Sequence, residues 1–260
     1  MNIWDRDNSG ASAIGAFFDI DGTLLPGPSL EWRFIAYLLA HDEIPTANAR
    51  RWLAQAARTC LVHPRAAIFS NKRYLAGLRE SLVADWEKSL EARGGKPLSF
   101  SPGGLQQIAW HLAQRHRVFL VSGTLEPLAH VAERRITYAP ERLGVCATRL
   151  EVRGDYWTGR IGGEHMSGGA KARALRGLAE RHGLALERSY AYGNSIKDAA
   201  MLDLAGHPRA VNPSWRLTDF ALSRGWEIRA WRDAAATAPA GSASDANGEA
   251  DAALAAKGAP

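Results

Sequence analysis

"FFDIDGTLL", residues 17–25, decides how this chain is read. It begins as a run fit for a buried strand, with Phe17, Phe18 and Ile20, yet it sets two carboxylates, Asp19 and Asp21, one residue apart at its end. An isolated buried carboxylate is costly unless it meets a cation or several donors. The stretch is therefore either a solvated Asp-rich turn or half of an ion site. In extended chain, residues i and i+2 point the same way, so both carboxylates can face one small volume. Gly22 then permits a sharp turn. A calcium loop would need further ligands at alternate positions and a Glu at the twelfth. Counted from Asp19 the twelfth residue is Leu30, and Pro26 and Pro28 interrupt the loop, which excludes that reading.

Outward from this point, short β-like runs alternate with helical patterns. The runs are "AIGAFFD", "RVFLVSG", "GVCATRLEV", "RSYAYGN", "PRAVN" and "WEIRAW". Leu105, Ile108, Ala109 and Leu112 form a helical stripe after a Ser101-Pro102 start. "AKARALRGLAERHG" makes a second helix, with Leu175 and Leu178 on one side and Gly183 as its stop. Such alternation predicts an α/β fold, a Rossmann-like, mostly parallel sheet flanked by helices. "RLEVRGDYWTGRI" reads as a β-hairpin turning at Gly154-Asp155.

The interval from Pro28 to Gly94 breaks the alternation. Its apolar residues, such as Trp32, Ile35, Leu38 and Leu39, then Tyr74, Leu75 and Leu78, fall at helical spacings. It reads as an inserted α-helical cap domain, with Trp32, Trp52 and Trp86 as its packing core. The expected division is a loose N-terminus at 1–13, a core from 14–27 and 95–232, the insertion at 28–94, and a disordered tail at 233–260. That tail is rich in Ala, Gly and Ser and too poor in large apolar residues to offset its ordering entropy.

Composition excludes several classes. The chain has 260 residues, 46% hydrophobic and 23% charged, an ordinary globular profile with room for a core and an inserted domain. No apolar stretch approaches the roughly 18 residues of a spanning helix, and residues 1–13 lack the pattern of a signal peptide. No membrane association is expected. Cys60 and Cys146 are too few for a disulfide framework. A cytoplasmic protein is expected. The net charge of +5 comes without a dense basic run interleaved with aromatics, so nucleic-acid binding is not indicated.

Three later segments carry polar groups at or near strand ends. "VFLVSGTLEP" closes an apolar run with Ser122-Gly123-Thr124 before a helix; a hydroxyl and free amides there make an anion cradle, or simply a strand-to-helix turn. "GGAKARAL" puts Lys171 in the first turn of a helix, where a cation opposes the dipole. Either an anionic partner favours it there or it faces water. "AYGNSIKDAAML" offers Asn194 and Asp198, oxygen ligands of the kind magnesium prefers, or an Asx turn capping a helix.

Taken in order, "DIDGT", "VSG", "AKA" around Lys171 and "GNSIKD" resemble the four motifs of the haloacid dehalogenase superfamily. Over residues 14–231 the chain is most similar to its phosphoserine-phosphatase-like branch, which carries a helical cap after the first motif. The resemblance implies a Mg²⁺-dependent phosphatase acting on a small phosphorylated substrate. Asp19 would be the nucleophile that forms an aspartyl-phosphate. Asp21 would be the general acid and base. Ser122, Gly123 and Lys171 would hold the phosphoryl group, with Lys171 also neutralising Asp19. Asp19, Asp21 through its backbone carbonyl, Asn194 and Asp198 would form the metal site, Asp198 through its water shell. A phosphotransferase or phosphomutase would use the same motifs. A catalytically dead binding module would have no need of the intact set.

Two departures from the pattern matter. Asn194 stands where many relatives have a metal-binding aspartate, which predicts weaker magnesium binding. Nine residues after Asp19, where phosphoserine phosphatases carry a Glu for the substrate ammonium, this chain has Pro28, with Glu31 in a different register. That argues against phosphoserine as the physiological substrate. Lys72 and Arg73, in "NKRYLAGL", are expected to face water.

Overall fold

Phe17 and Phe18 point to opposite faces of the strand that holds them, β1 (Gly15–Phe18), and both are completely buried. A strand covered on both faces belongs at the centre of a parallel sheet. The computed structural model describes residues 13–50, 52–54, 72–92, 94–136 and 142–231. The expected loose N-terminus, apart from Ala13, and the expected tail lie outside these residues.

After β1 come α1 (Leu30–Ala40), a 3-10 turn at Arg73–Leu75 and α2 (Leu82–Glu91). There follow α3 (Pro102–Ala113), β2 (Arg117–Leu125), α4 (Glu126–Ile136) and β3 (Leu143–Thr148). A hairpin of β4 (Leu150–Arg153) and β5 (Tyr156–Ile161) leads to α5 (Gly169–His182). The chain ends its described part with β6 (Tyr190–Gly193), α6 (Ala199–Leu202), β7 (His207–Val211), α7 (Trp215–Arg224) and β8 (Glu227–Arg229).

The main sheet has six parallel strands in the order β3-β2-β1-β6-β7-β8. The chain steps outward from β1 to β3, then returns to the other side of β1. Such a reversal opens a crevice beyond the carboxyl ends of the strands, where open α/β sheets bind ligands. The two faces carry separate cores. Phe18, Leu120 and Tyr192 pack under α1 to α4, with the Phe18 and Tyr192 rings stacked at 4.3 Å. Phe17, Phe119 and Val121 meet Leu175 and Leu178 of α5 and Leu217 of α7.

Several sequence expectations need adjustment. "GVCATRLEV" is not one strand: β3 stays in the main sheet to Thr148, and β4 leaves it to pair antiparallel with β5. The α3 stripe is rotated, burying Gly104, Ile108 and His111 while Ala109 faces solvent. Along α1 the buried set is Leu30, Phe34 and Leu38, spaced by four residues, which turns Trp32 outward at 43% exposure. Trp32 is therefore not core. Trp86 is core, edge-on to Phe34, and Trp52 is half-buried against Tyr74. Gly183 does stop α5, in the left-handed conformation at φ 59°. Among the described residues no helix is long and apolar enough to cross a membrane.

Candidate active site

The end of β1 is where the two carboxylates leave the sheet. The Asp19 amide donates to the carbonyl of Tyr192 on β6 at 2.9 Å, fixing the nucleus of the site at the switch point. Its side chain is buried, with Oδ1 2.6 Å from Lys171 Nζ and Oδ2 accepting the Thr23 hydroxyl at 3.0 Å. Asp21 Oδ1 accepts the amide of Leu30 at 2.8 Å, at the positive end of the α1 dipole. Gly22 holds φ 86°, and a Cβ there would lie 2.0 Å from Nδ2 of Asn194. The glycine thus serves both the turn and the approach of Asn194.

Lys171 is no surface lysine. Nζ is buried and touches Oδ1 of both Asp19 and Asp198 at 2.6 Å. These two carboxylates offset the unfavourable dipole at the start of α5. The other Asp198 oxygen accepts the amides of Asn194 and Ser195 and the Ser195 hydroxyl, at 3.2, 2.9 and 3.0 Å. Both Asp198 oxygens are therefore engaged. Gly193 leaves room for this carboxylate, since a Cβ there would lie 2.5 Å from Asp198 Cβ.

Ser122 and Gly123 lie within β2, which runs on to Leu125 through a register break against β3 before α4 begins at Glu126. The expected strand-to-helix turn is thus an irregular strand end. Thr148 Oγ1 donates to the Gly123 carbonyl at 2.8 Å and accepts the Met166 amide at 3.1 Å. This ties β2, β3 and the loop before α5 together. A Cβ on Gly123 would sit 3.3 Å from the Met166 carbonyl and 3.6 Å from the His165 ring.

These elements enclose a cavity of about 270 Å³. Asp19, Asp21, Ser122, Gly123, Lys171, Asn194 and Asp198, every site residue expected from the sequence, line it. Glu31 of α1 and Lys72 line it as well. The expectation that Lys72 faces water is overturned: it is 1% exposed, with Nζ 2.5 Å from both Glu31 oxygens, and Tyr74 donates to Glu31 at 2.6 Å. A buried ammonium needs such a partner. Arg73 is exposed. His165 and Thr124 also line the cavity; no spacing rule marks either as a site residue.

Burial pushes the Asp19 carboxyl above its ordinary range, with Lys171 pulling it back and Asp198 and Asp21 adding repulsion. Burial likewise raises Asp21 to about 6, against the Leu30 amide that favours its charge. Burial alone would lower Lys171, but Asp19 and Asp198 outweigh it and hold the ammonium above the usual lysine range. Burial, then Lys72, lowers His165 to about 4, leaving it neutral. Asp19 and Asp198 thus share one ammonium, with the Asp21 carboxyl nearby. Among the described residues no group of three or more Asp, Glu, His or Cys side chains is placed to hold a metal ion by itself. Magnesium asks for less: one or two carboxylates, with the remaining positions taken by water and substrate phosphate. The excess negative charge and hard oxygen donors of Asp19, Asp21 and Asn194 fit that ion.

Residues 16–203 match the model of the haloacid dehalogenase-like hydrolases. The chain belongs to this family. Over 226 residues it is 40% identical to phosphoserine phosphatase SerB1 of Mycobacterium tuberculosis, covering 84% of this chain and 70% of that one. Among solved structures, a protein of unknown function from Bordetella pertussis Tohama I has a TM-score of 0.64 at 27% identity, over 84% of this chain and 98% of that one. A phosphoserine phosphatase solved as a phospho-aspartyl intermediate analogue has a TM-score of 0.56 at 18% identity, over 85% of this chain and 95% of that one, and shares the fold. This haloacid dehalogenase-like hydrolase falls in the phosphoserine-phosphatase-like branch and is a phosphatase.

Proposed function

We propose that this hydrolase cleaves small phosphomonoesters in two displacements at phosphorus, through an aspartyl-phosphate on Asp19. The observation that carries the reading is the convergence of Asp19, Lys171 and Asp198 through 2.6 Å contacts, in a cavity also lined by Asp21 and Ser122.

In the first step an Asp19 oxygen bonds to phosphorus while the bond to the alcohol oxygen breaks. Asp21, raised to about 6, supplies the proton the departing oxygen needs. In the second step Asp21 takes a proton from water, which attacks phosphorus and releases phosphate, restoring Asp19. Ser122 and the amides beside it orient the phosphoryl oxygens, and Lys171 offsets charge on Asp19 and on the group in transfer. Asp198 keeps Lys171 in place and caps the 194–195 turn. Mg²⁺ held by Asp19, Asp21 and Asn194, with Asp198 behind water, would neutralise the negative charge of the phosphate as the carboxylate approaches.

The division into a catalytic core (14–27 and 95–232) and a cap (28–94) belongs to the same proposal. In it, Glu31 and Lys72 of the cap complete the wall that the core leaves open. The test is Mg²⁺-dependent phosphate release from phenyl phosphate. Release that stops when the metal is chelated and returns with Mg²⁺ supports the reading. A folded, magnesium-loaded chain that releases none defeats it.

A further inference from the structure

We infer that the leaving group is an uncharged, hydroxyl-bearing alcohol, such as a polyol or sugar, held by Lys72 and Thr124, which line the same cavity as the catalytic groups. The inference rests on the phosphatase reading and deepens it.

Two elements supply cavity-lining side chains that the catalytic steps do not use. From the inserted segment come Glu31 and Lys72, buried against each other with Tyr74 closing on the Glu31 carboxylate. From the end of β2 comes Thr124, 2% exposed, whose Oγ1 has no hydrogen-bond partner among the described residues. Buried hydroxyls are rarely left unpaired, and an orphan beside a cavity is a group waiting for a partner.

Charge selects the kind of partner. An ammonium on the substrate would find the Glu31 carboxylate already held by Lys72, and would lie beside that cation. A carboxylate on the substrate would reach Lys72 only by crowding Glu31. Separating a buried pair to serve either one leaves the other charge uncompensated. An uncharged alcohol disturbs neither. The Lys72 ammonium has three N–H donors, and Glu31 is its sole acceptor among the described residues. A donor thus remains for a substrate hydroxyl, and Thr124 can both give and accept. The neutral His165 ring, which also lines the cavity, adds no charge. The cavity, about 270 Å³, limits the alcohol to a few carbons beyond the phosphoryl group.

The experiment compares kcat/KM at saturating Mg²⁺ for a size-matched series: glycerol 1-phosphate, phosphoserine, 3-phosphoglycerate and phosphoethanolamine, with phenyl phosphate as reference. Glycerol 1-phosphate is expected to exceed each charged ester by about tenfold or more, the worth of one good hydrogen bond or one avoided charge conflict. Thr124→Val should cut the ratio of glycerol 1-phosphate to phenyl phosphate several-fold while leaving thermal stability unchanged or higher, because the orphan hydroxyl is gone. Glu31→Gln/Lys72→Met keeps the wall neutral, so it folds, and should cut the same ratio. Preference for any charged ester overturns the inference, as does a ratio unmoved in both variants. If phenyl phosphate itself is not hydrolysed, the phosphatase reading fails and this inference falls with it. If it is hydrolysed and phosphoserine is preferred, the inference alone falls.

Discussion

Lys171 lies 2.6 Å from Asp198, and that carboxylate is held in turn by the 194–195 turn. The lysine is thereby pinned against Asp19 from two sides. Lys171→Met removes the only cation touching Asp19 and Asp198 among the described residues and leaves those acids buried together. We predict loss of about 3–5 kcal/mol of folding stability in the metal-free protein, read by denaturant titration, with partial recovery on adding Mg²⁺. Turnover should fall by about 10³-fold or more. A variant as stable as wild type would mean that the acids are neutral in the folded chain.

Gly22 and Asn194 form a second dependence. Gly22→Ala forces a side chain into positive φ and into the Asn194 amide. The strain is about 1–3 kcal/mol. Because Asn194 must move, half-saturation by Mg²⁺ should rise along with the loss of stability. Magnesium activation curves at constant substrate check this; an unmoved midpoint would show that Asn194 does not serve the metal.

Asn194→Asp makes the opposite change. It adds a carboxylate to a cluster already short of positive charge, so the Mg²⁺ midpoint should move to lower concentration while the metal-free protein loses stability. Calorimetric titration with Mg²⁺ measures the first and thermal melting with chelator the second. A midpoint that stays put would remove Asn194 from the metal site.

Asp21→Asn separates the two steps. Phenolate is a better leaving group than an alkoxide and needs less help from an acid, so the first displacement should survive better with phenyl phosphate than with glycerol 1-phosphate. Water attack still lacks its base. The variant should therefore give a burst of phenol followed by slow turnover. A steady state without a burst, at wild-type rate, would exclude Asp21 as the base.

His111 makes a prediction about pH. It is wholly buried, with Nε2 2.9 Å from the Tyr192 hydroxyl and Nδ1 2.7 Å from His116. Burial, helped by His116, lowers it to about 3. The unfolded chain binds its proton near pH 6.5. Stability from this residue is thus full above that pH and declines as pH falls toward 3, by up to about 1.4 kcal/mol per pH unit. His111→Gln should flatten the slope of stability against pH between 6 and 4 by up to one proton. An unchanged slope would mean that His111 is already charged in the fold.

The strands were the most legible part of the sequence, because a run such as Phe17 to Ile20 buried on both faces has few other uses. The site acids were legible for the same reason: a carboxylate amid apolar residues needs a cation. Lys72 was not, because its partner, Glu31, lies forty-one positions earlier, and only the folding of the chain between them brings the two together. Trp32 misled because hydrophobicity does not fix the phase of a helix whose other face is also apolar; Leu30, Phe34 and Leu38 win the core side. Thr124 could not be read either, since an unpaired hydroxyl is a property of surroundings, not of residue type.

The fate of Asp19 during turnover is the most direct test of an aspartyl-phosphate mechanism. Phenyl phosphate is mixed with the magnesium-loaded Asp21→Asn variant, quenched in acid within the burst, and the digest is mapped by mass spectrometry. The prediction is a phosphoryl group on Asp19 that hydroxylamine removes. A burst of phenol with Asp19 unmodified, or with the phosphoryl group on Ser122, would contradict it.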